Sequence, residues 1–146
     1  PLWQVTLSDI SAGALRVATA NQRLHGTNLP EIESDMFARL ADQKFDLIVT
    51  NPPYIAPSEI ALMDKAVLDY EPPVALFADE HGLGFYHRLF ERIGDHLTPG
   101  GQLFGETGFD QEQGIQALCH QVAPNAQIQT RHDMADRMRM IHAWNF

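Results

Sequence analysis

The chain has 146 residues, 45% hydrophobic and 20% charged, one domain's worth with enough apolar material for a core. Nineteen acidic against ten basic residues give a formal net charge of −9, which disfavours nucleic acid as partner unless the few Lys and Arg cluster. There is no run of like charge, no signal peptide, no apolar run near the ~20 residues of a membrane span and a single cysteine, Cys119, so a soluble cytoplasmic protein without disulfides is expected.

Residues 2–7 (LWQVTL) read as a strand that ends at Ser8-Asp9-Ile10-Ser11. Ser11 can cap a helix with the apolar stripe Ala14, Val17, Ala18 and Leu24, closed by Gly26-Thr27-Asn28. A short strand over 29–34 leads to Ser34-Asp35-Met36-Phe37. The clearest strand is 44–50, where Phe45, Leu47, Ile48 and Val49 are nearly continuous, the pattern of a parallel strand buried on both faces. Residues 51–80 turn irregular, with prolines at 52, 53, 57, 72 and 73; a stretch this long is functional or mobile.

An amphipathic helix over 84–97 places Tyr86, Leu89, Phe90, Ile93 and Leu97 at 3–4 spacing. A turn at Thr98-Pro99-Gly100-Gly101 precedes a strand over 102–106, then a helix with Ile115, Leu118, Cys119 and Val122 on one face. Two last strands, 126–132 and Met138–Trp144, flank a short connection and are predicted antiparallel. The order β-α-β-β-α-β-α-β-β implies one α/β domain over 1–146, its sheet mostly parallel with an antiparallel finish. Ligands of such sheets sit beyond the carboxyl ends of the strands. Asp9, Asp35 and Asn51 each lie just past a strand end and are expected to face one crevice.

The sequence after the 44–50 strand is Asn51-Pro52-Pro53-Tyr54-Ile55. Each proline restricts the residue before it to extended geometry, and neither has an N–H to donate. The segment is therefore stiff, with carbonyls free to accept hydrogen bonds. Asn51 adds a side-chain carbonyl and an NH2, and Tyr54 adds an aromatic wall. Such a pocket suits a planar NH2 group, whose two hydrogens need two acceptors. The simpler reading is a Pro-Pro strand terminator with a surface tyrosine; the Asn before, the Tyr after and the apolar strand leading in favour the pocket.

DLIVTNPPYI (46–55), Tyr70-Glu71-Pro72, Ala75-Leu76, Gly82-Leu83, Phe85-Tyr86, Leu97-Thr98-Pro99-Gly100-Gly101 and Glu106 resemble the protein glutamine-N5 methyltransferases of the HemK/PrmC type, which modify peptide-chain release factors. Upstream, residues 8–15 and 34–37 match as well, so the likeness covers nearly the whole chain. It implies a Rossmann-like, S-adenosylmethionine-dependent methyltransferase fold. The implied cofactor residues are Asp9 with Ile10 for the ribose hydroxyls, Asp35, Met36 and Phe37 for the adenine, and Asn51. Asn51 and the Pro52 carbonyl would hold the substrate amide, with Pro53 stiffening the loop and Tyr54 packing on the amide plane. Glu71 either touches substrate or anchors the loop. Without the resemblance, Asp9 also reads as a helix-entry acid and Asp35 as a loop acid.

The resemblance also marks what departs from it. No glycine-rich turn follows a first strand, and the N-terminal helical domain of the family is missing. The chain therefore reads as a fragment or a truncated relative, with weak cofactor binding expected. Gly82-Leu83-Gly84 reads as helix-entry geometry. Pro73 follows Glu-Pro where the family often carries a basic or other residue, and Thr107 varies the neighbour of Glu106. Seven histidines show no ligand spacing, so no metal site is expected. Three alternatives share the features: glutamine methylation of a ribosomal protein, adenine-N6 methylation of DNA or RNA through a flipped base, and a non-catalytic binding remnant of the fold.

Overall fold

The computed structural model describes residues 3–146. They form two compact units, the described residues up to Gln43 and Lys44–Phe146. In the first unit, strand β1 (Leu7–Asp9) and strand β2 (Glu31–Glu33) pair in parallel, joined by helix α1 (Ala12–His25). Ser11 caps α1 as predicted, its hydroxyl accepting the Ala14 N–H at 3.2 Å. Gly26 closes the helix in the left-handed region, at φ 64°, where a side chain would be strained.

Two expectations change here. The strand expected over 2–7 forms at Leu7–Asp9 instead, and Leu2 lies outside the described residues. Strand length follows the pairing partner rather than propensity, and β2 offers three residues beyond Pro30, which has no N–H to give. The predicted stripe of α1 is also not a core: Val17 is 60% and Leu24 81% exposed. Two three-residue strands are too small to cover the apolar side of a 14-residue helix. Polar contacts hold α1 to β2 instead. The Thr19 hydroxyl and the Gln22 amide both donate to the Glu31 carboxylate, and the Gln22 oxygen accepts the Leu29 N–H.

The second unit begins with β3 (Phe45–Thr50). Residues 51–80, expected to be irregular, contain a 3-10 helix (Pro57–Leu62) and the short helices α2 (Lys65–Tyr70), α3 (Pro73–Leu76) and α4 (Asp79–Gly82). Pro57 and Pro73 open their helices, where the missing N–H would have been unpaired anyway. Asp64 caps α2 through the Ala66 N–H at 2.8 Å. Within α4, Glu80 and His81 take left-handed geometry at φ 55° and 56°, so it is a sharp bend more than a helix.

Helix α5 (Gly84–Arg92) follows and tightens into a 3-10 turn, Ile93–Asp95. Strand β4 (Leu97–Glu106), helix α6 (Glu112–Val122), β5 (Gln127–His132) and β6 (Met138–Trp144) complete the unit. The sheet order is β3-β4-β6-β5, with β3 parallel to β4 and the last two pairings antiparallel, as the sequence predicts for the finish. All of Tyr86, Leu89, Phe90, Ile93 and Leu97 are buried, but the helix expected over 84–97 ends at Arg92, and Leu97 is the first residue of β4. Ile115 and Cys119 of α6 join them over Leu103, Ile141 and Ala143, which share one face of β4 and β6. Each fully buried aliphatic side chain of this size contributes roughly 1.5–3 kcal/mol.

The apolar run of β3 does not mean burial on both faces. Among the described residues β3 lies at the edge of its sheet, paired with β4, and Val49 is 70% exposed. The predicted turn at 98–101 lies inside β4 as an irregularity: Phe45 opposes Leu97, but Leu47 opposes Gln102. Gly100, at φ 82°, makes that jump possible. No helix among the described residues is long and apolar enough to cross a membrane.

Candidate active site

β3 delivers the chain to Asn51, and the sheet pairing stops there. Regular bonding resumes at Ile55, whose N–H donates to the Leu76 carbonyl at 2.9 Å and whose carbonyl accepts the Ala78 N–H at 3.0 Å. Between these points Pro52 and Pro53 can donate nothing. A cleft of about 300 Å³ opens beside this loop, lined by Asn51, Pro52, Tyr54, Ile55, Glu71, Ala75 and Leu76. That is the lower end of the range for small-ligand sites, roughly 300–1,000 Å³. The structure thus brings together Asn51, Pro52, Tyr54 and Glu71, while Pro53 is not part of the cleft wall. Asn51 is exposed and Pro52 buried. Glu71 has a double place: its N–H closes α2 on the Val67 carbonyl at 2.9 Å, and the residue lines the cleft.

Tyr54 is held at both ends. Its hydroxyl donates to the Glu106 carboxylate at 2.8 Å. Its carbonyl accepts from the Gln111 side-chain amide, also at 2.8 Å. Burial raises the Tyr54 phenol above its ordinary value of 10.0; the Glu106 hydrogen bond and charge push the same way, and Arg139 opposes them. Tyr54 is therefore a firm donor at neutral pH. Behind it the Tyr86 hydroxyl donates to the Glu106 carbonyl at 2.6 Å. Gly105 leaves room for that ring: a Cβ there would sit 2.2 Å from the Tyr86 oxygen.

Sequence reasoning picked out Glu106 only as a matching acid, and Gln111 not at all. Gln111 lies in the turn before α6, where no periodic pattern marks it. Gly82 and Gly84 do open α5, as expected, but Gly82 does more. It sits at φ 83°, and a Cβ on it would fall 2.2 Å from the Tyr54 carbonyl oxygen.

The first unit holds the remaining predicted residues. Asp9 ends β1, and Asp35 follows the end of β2; because the strands are parallel, both lie at the same end of this small sheet. One Asp9 oxygen accepts the Ser11 N–H at 2.7 Å, the helix-entry role, and the Asp9 carbonyl accepts the Ser34 N–H at 2.9 Å. Ile10 is exposed. The buried Ser34 hydroxyl donates to the Met36 carbonyl at 3.0 Å and accepts the Arg39 N–H at 2.9 Å, which fixes Met36 in a left-handed turn at φ 51°. Asp35 is exposed, Met36 half-buried and Phe37 buried. Among the described residues no group of His, Cys, Asp or Glu is arranged to hold a metal.

Residues 1–69 match the methyltransferase small domain family. The release factor glutamine methyltransferase of Lactococcus lactis is 39% identical over 139 residues, 95% of this chain and 51% of the relative. By sequence the chain is similar to release factor glutamine methyltransferases. The enzyme of that name from Streptococcus pneumoniae is 36% identical, over 97% of this chain and 50% of its own length. The chain thus spans about half the length of the curated relatives it matches. Among solved structures, ribosomal protein L11 methylase from Lactobacillus delbrueckii subsp. bulgaricus superposes with a TM-score of 0.66 at 19% identity, covering 97% of this chain and 57% of that one. The fold is that of the Rossmann-like methyltransferases.

Proposed function

We propose that this chain carries the substrate-amide site of an S-adenosylmethionine-dependent methyltransferase that methylates a glutamine side-chain nitrogen in a peptide-chain release factor. The observation that carries the reading is the cleft bounded by Asn51, Pro52 and Tyr54 in a chain whose relatives bear that name. The Asn51 side-chain carbonyl and the Pro52 carbonyl accept the two hydrogens of the substrate NH2, and Tyr54 packs against its plane. Glu71, across the cleft, meets the chain that bears the glutamine. Pro53 keeps the loop extended without touching substrate.

S-adenosylmethionine, when bound, supplies a methyl group on a positively charged sulfur. Asp9 fits its ribose, because one carboxylate oxygen is spent on Ser11 and the other has no partner among the described residues. Met36 and the Asp35 turn serve the adenine; Phe37, being buried, braces that turn from behind. Ile10, exposed beside Asp9, adds a further contact to the cofactor.

The chemistry is demanding because the amide lone pair is conjugated; the rotation barrier of a peptide bond, roughly 18–20 kcal/mol, measures how strongly. Transfer of the methyl would leave the cofactor as a neutral thioether and the nitrogen with positive charge, to be relieved by loss of one proton to solvent. Two carbonyl acceptors on its hydrogens favour that charge. Fixing the nitrogen for in-line attack can be worth about 7–11 kcal/mol. A methyl-transfer assay offering a release factor, ribosomal protein L11 and adenine-containing DNA tests this reading. Methyl groups should appear on a release-factor glutamine; transfer to DNA alone would overturn it.

A further inference from the structure

Gln111 is nearly sealed from solvent, at 8% exposure, yet every polar atom of its side chain is used. Its nitrogen donates to the Tyr54 carbonyl at 2.8 Å and to the His81 carbonyl at 3.2 Å. Its oxygen accepts the Gly108 N–H at 2.9 Å. One amide therefore joins three segments distant in sequence: the proline loop, the left-handed bend at Asp79–Gly82, and the turn between β4 and α6. The bend is shaped around this meeting point. Glu80, His81 and Gly82 have successive φ values of 55°, 56° and 83°, and a Cβ on Gly82 would lie 2.4 Å from the Gln111 nitrogen. Two non-glycine residues in that region are costly and persist where surrounding contacts over-determine them.

Pro52 and Pro53 remove the hydrogen bonds by which the loop could anchor itself. Before the backbone bonds of Ile55 resume, the loop is held by the two ends of Tyr54: the carbonyl on Gln111 and the hydroxyl on Glu106. We infer that Gln111 and Glu106 form a two-point clamp on Tyr54, and that Gln111 is a positioning residue for the acceptors that hold the substrate amide. This rests on the amide-methylation reading above. Gln111 touches neither substrate nor cofactor; it acts by fixing where the peptide units of the loop point. A misplacement of about 1 Å in such a site can cost roughly a hundredfold in rate.

The test uses the protein as it occurs in its host, carrying Gln111→Glu, Gln111→Ala, Glu106→Gln or Glu106→Ala. Gln111→Glu keeps the shape and the acceptor for Gly108 but, when ionised, cannot donate to Tyr54. Three quantities are read: kcat for methyl transfer, Kd for S-adenosylmethionine by calorimetry, and the alkaline titration of the tyrosines by ultraviolet absorbance. Both Gln111 variants should lower kcat about tenfold to a hundredfold and leave the cofactor Kd within about twofold. Glu106→Gln, which keeps an acceptor for the Tyr54 hydroxyl, should retain more activity than Glu106→Ala. In Gln111→Ala and Glu106→Ala the Tyr54 phenol should titrate closer to its ordinary value. A folded Gln111→Glu enzyme with unchanged kcat would overturn the clamp, as would equal losses in kcat and cofactor affinity. If wild-type enzyme methylates DNA and not glutamine, the function reading fails, while the tyrosine titration still decides the clamp.

Discussion

The two units reach order by different means. The first unit stitches α1 to β2 through Thr19, Gln22 and Glu31, and leaves Val17 and Leu24 in solvent. The second unit buries Tyr86, Leu89, Ile93, Leu103, Ile115 and Ile141 between two helices and one sheet face. Hydrogen bonds contribute little net stability each, about 0.5–1.5 kcal/mol, whereas apolar burial sums over many side chains. The difference explains why the cleft, the clamp on Tyr54 and the buried cysteine all belong to the second unit, where a packed core can hold loops still.

That contrast can be broken by substitution. Ile141→Ala should destabilise the second unit by about 2–5 kcal/mol in urea denaturation, since it opens a cavity at a fully buried position. Thr19→Val should cost about 1 kcal/mol, the loss of one hydrogen bond to Glu31. Leu24→Ala should change stability by less than about 0.5 kcal/mol, because its side chain is already in water. A large Leu24→Ala effect would show that α1 has an apolar partner.

Cys119 supplies a finer probe. Burial pushes its thiol from 9.0 up to about 11. The folded state therefore holds the proton more tightly than the unfolded chain, so this contribution is complete below pH 9 and is lost as pH rises through about 11. Native protein should react with alkylating reagents far more slowly at pH 8 than urea-unfolded protein. Equal rates would show that the second core is open around α6.

Much of this was legible in the sequence. The 3–4 spacing of Tyr86, Leu89 and Phe90 marks a helix face that is buried, and Ser11 and Gly26 mark both ends of α1. Asn51, Pro52, Tyr54 and Glu71 were named from chemistry and likeness, and they line one cleft. Periodicity could not reveal what depends on partners. An apolar run such as 45–49 looks the same in a central strand and at an edge, and a helix stripe is buried only if something is there to cover it. The short helices over 57–76 had cues in Pro57, Asp64 and Pro73, but four- to six-residue helices are too brief for a repeat to show. Gln111 was invisible because its role is set by Tyr54 and His81, 57 and 30 residues away.

The central claim is that the Asn51-Pro52-Pro53-Tyr54 loop holds a side-chain amide. Its most direct test is transfer of a labelled methyl group to a release factor by wild-type and Asn51→Ala enzyme, with the modified residue located by peptide mass spectrometry and cofactor affinity measured alongside. The account predicts one methyl on a glutamine side chain, and a fall in kcat of about a hundredfold or more in the variant, comparable to removing one transition-state hydrogen-bonding group, with cofactor Kd nearly unchanged. Methylation elsewhere, or an Asn51→Ala enzyme that keeps its kcat, would contradict it.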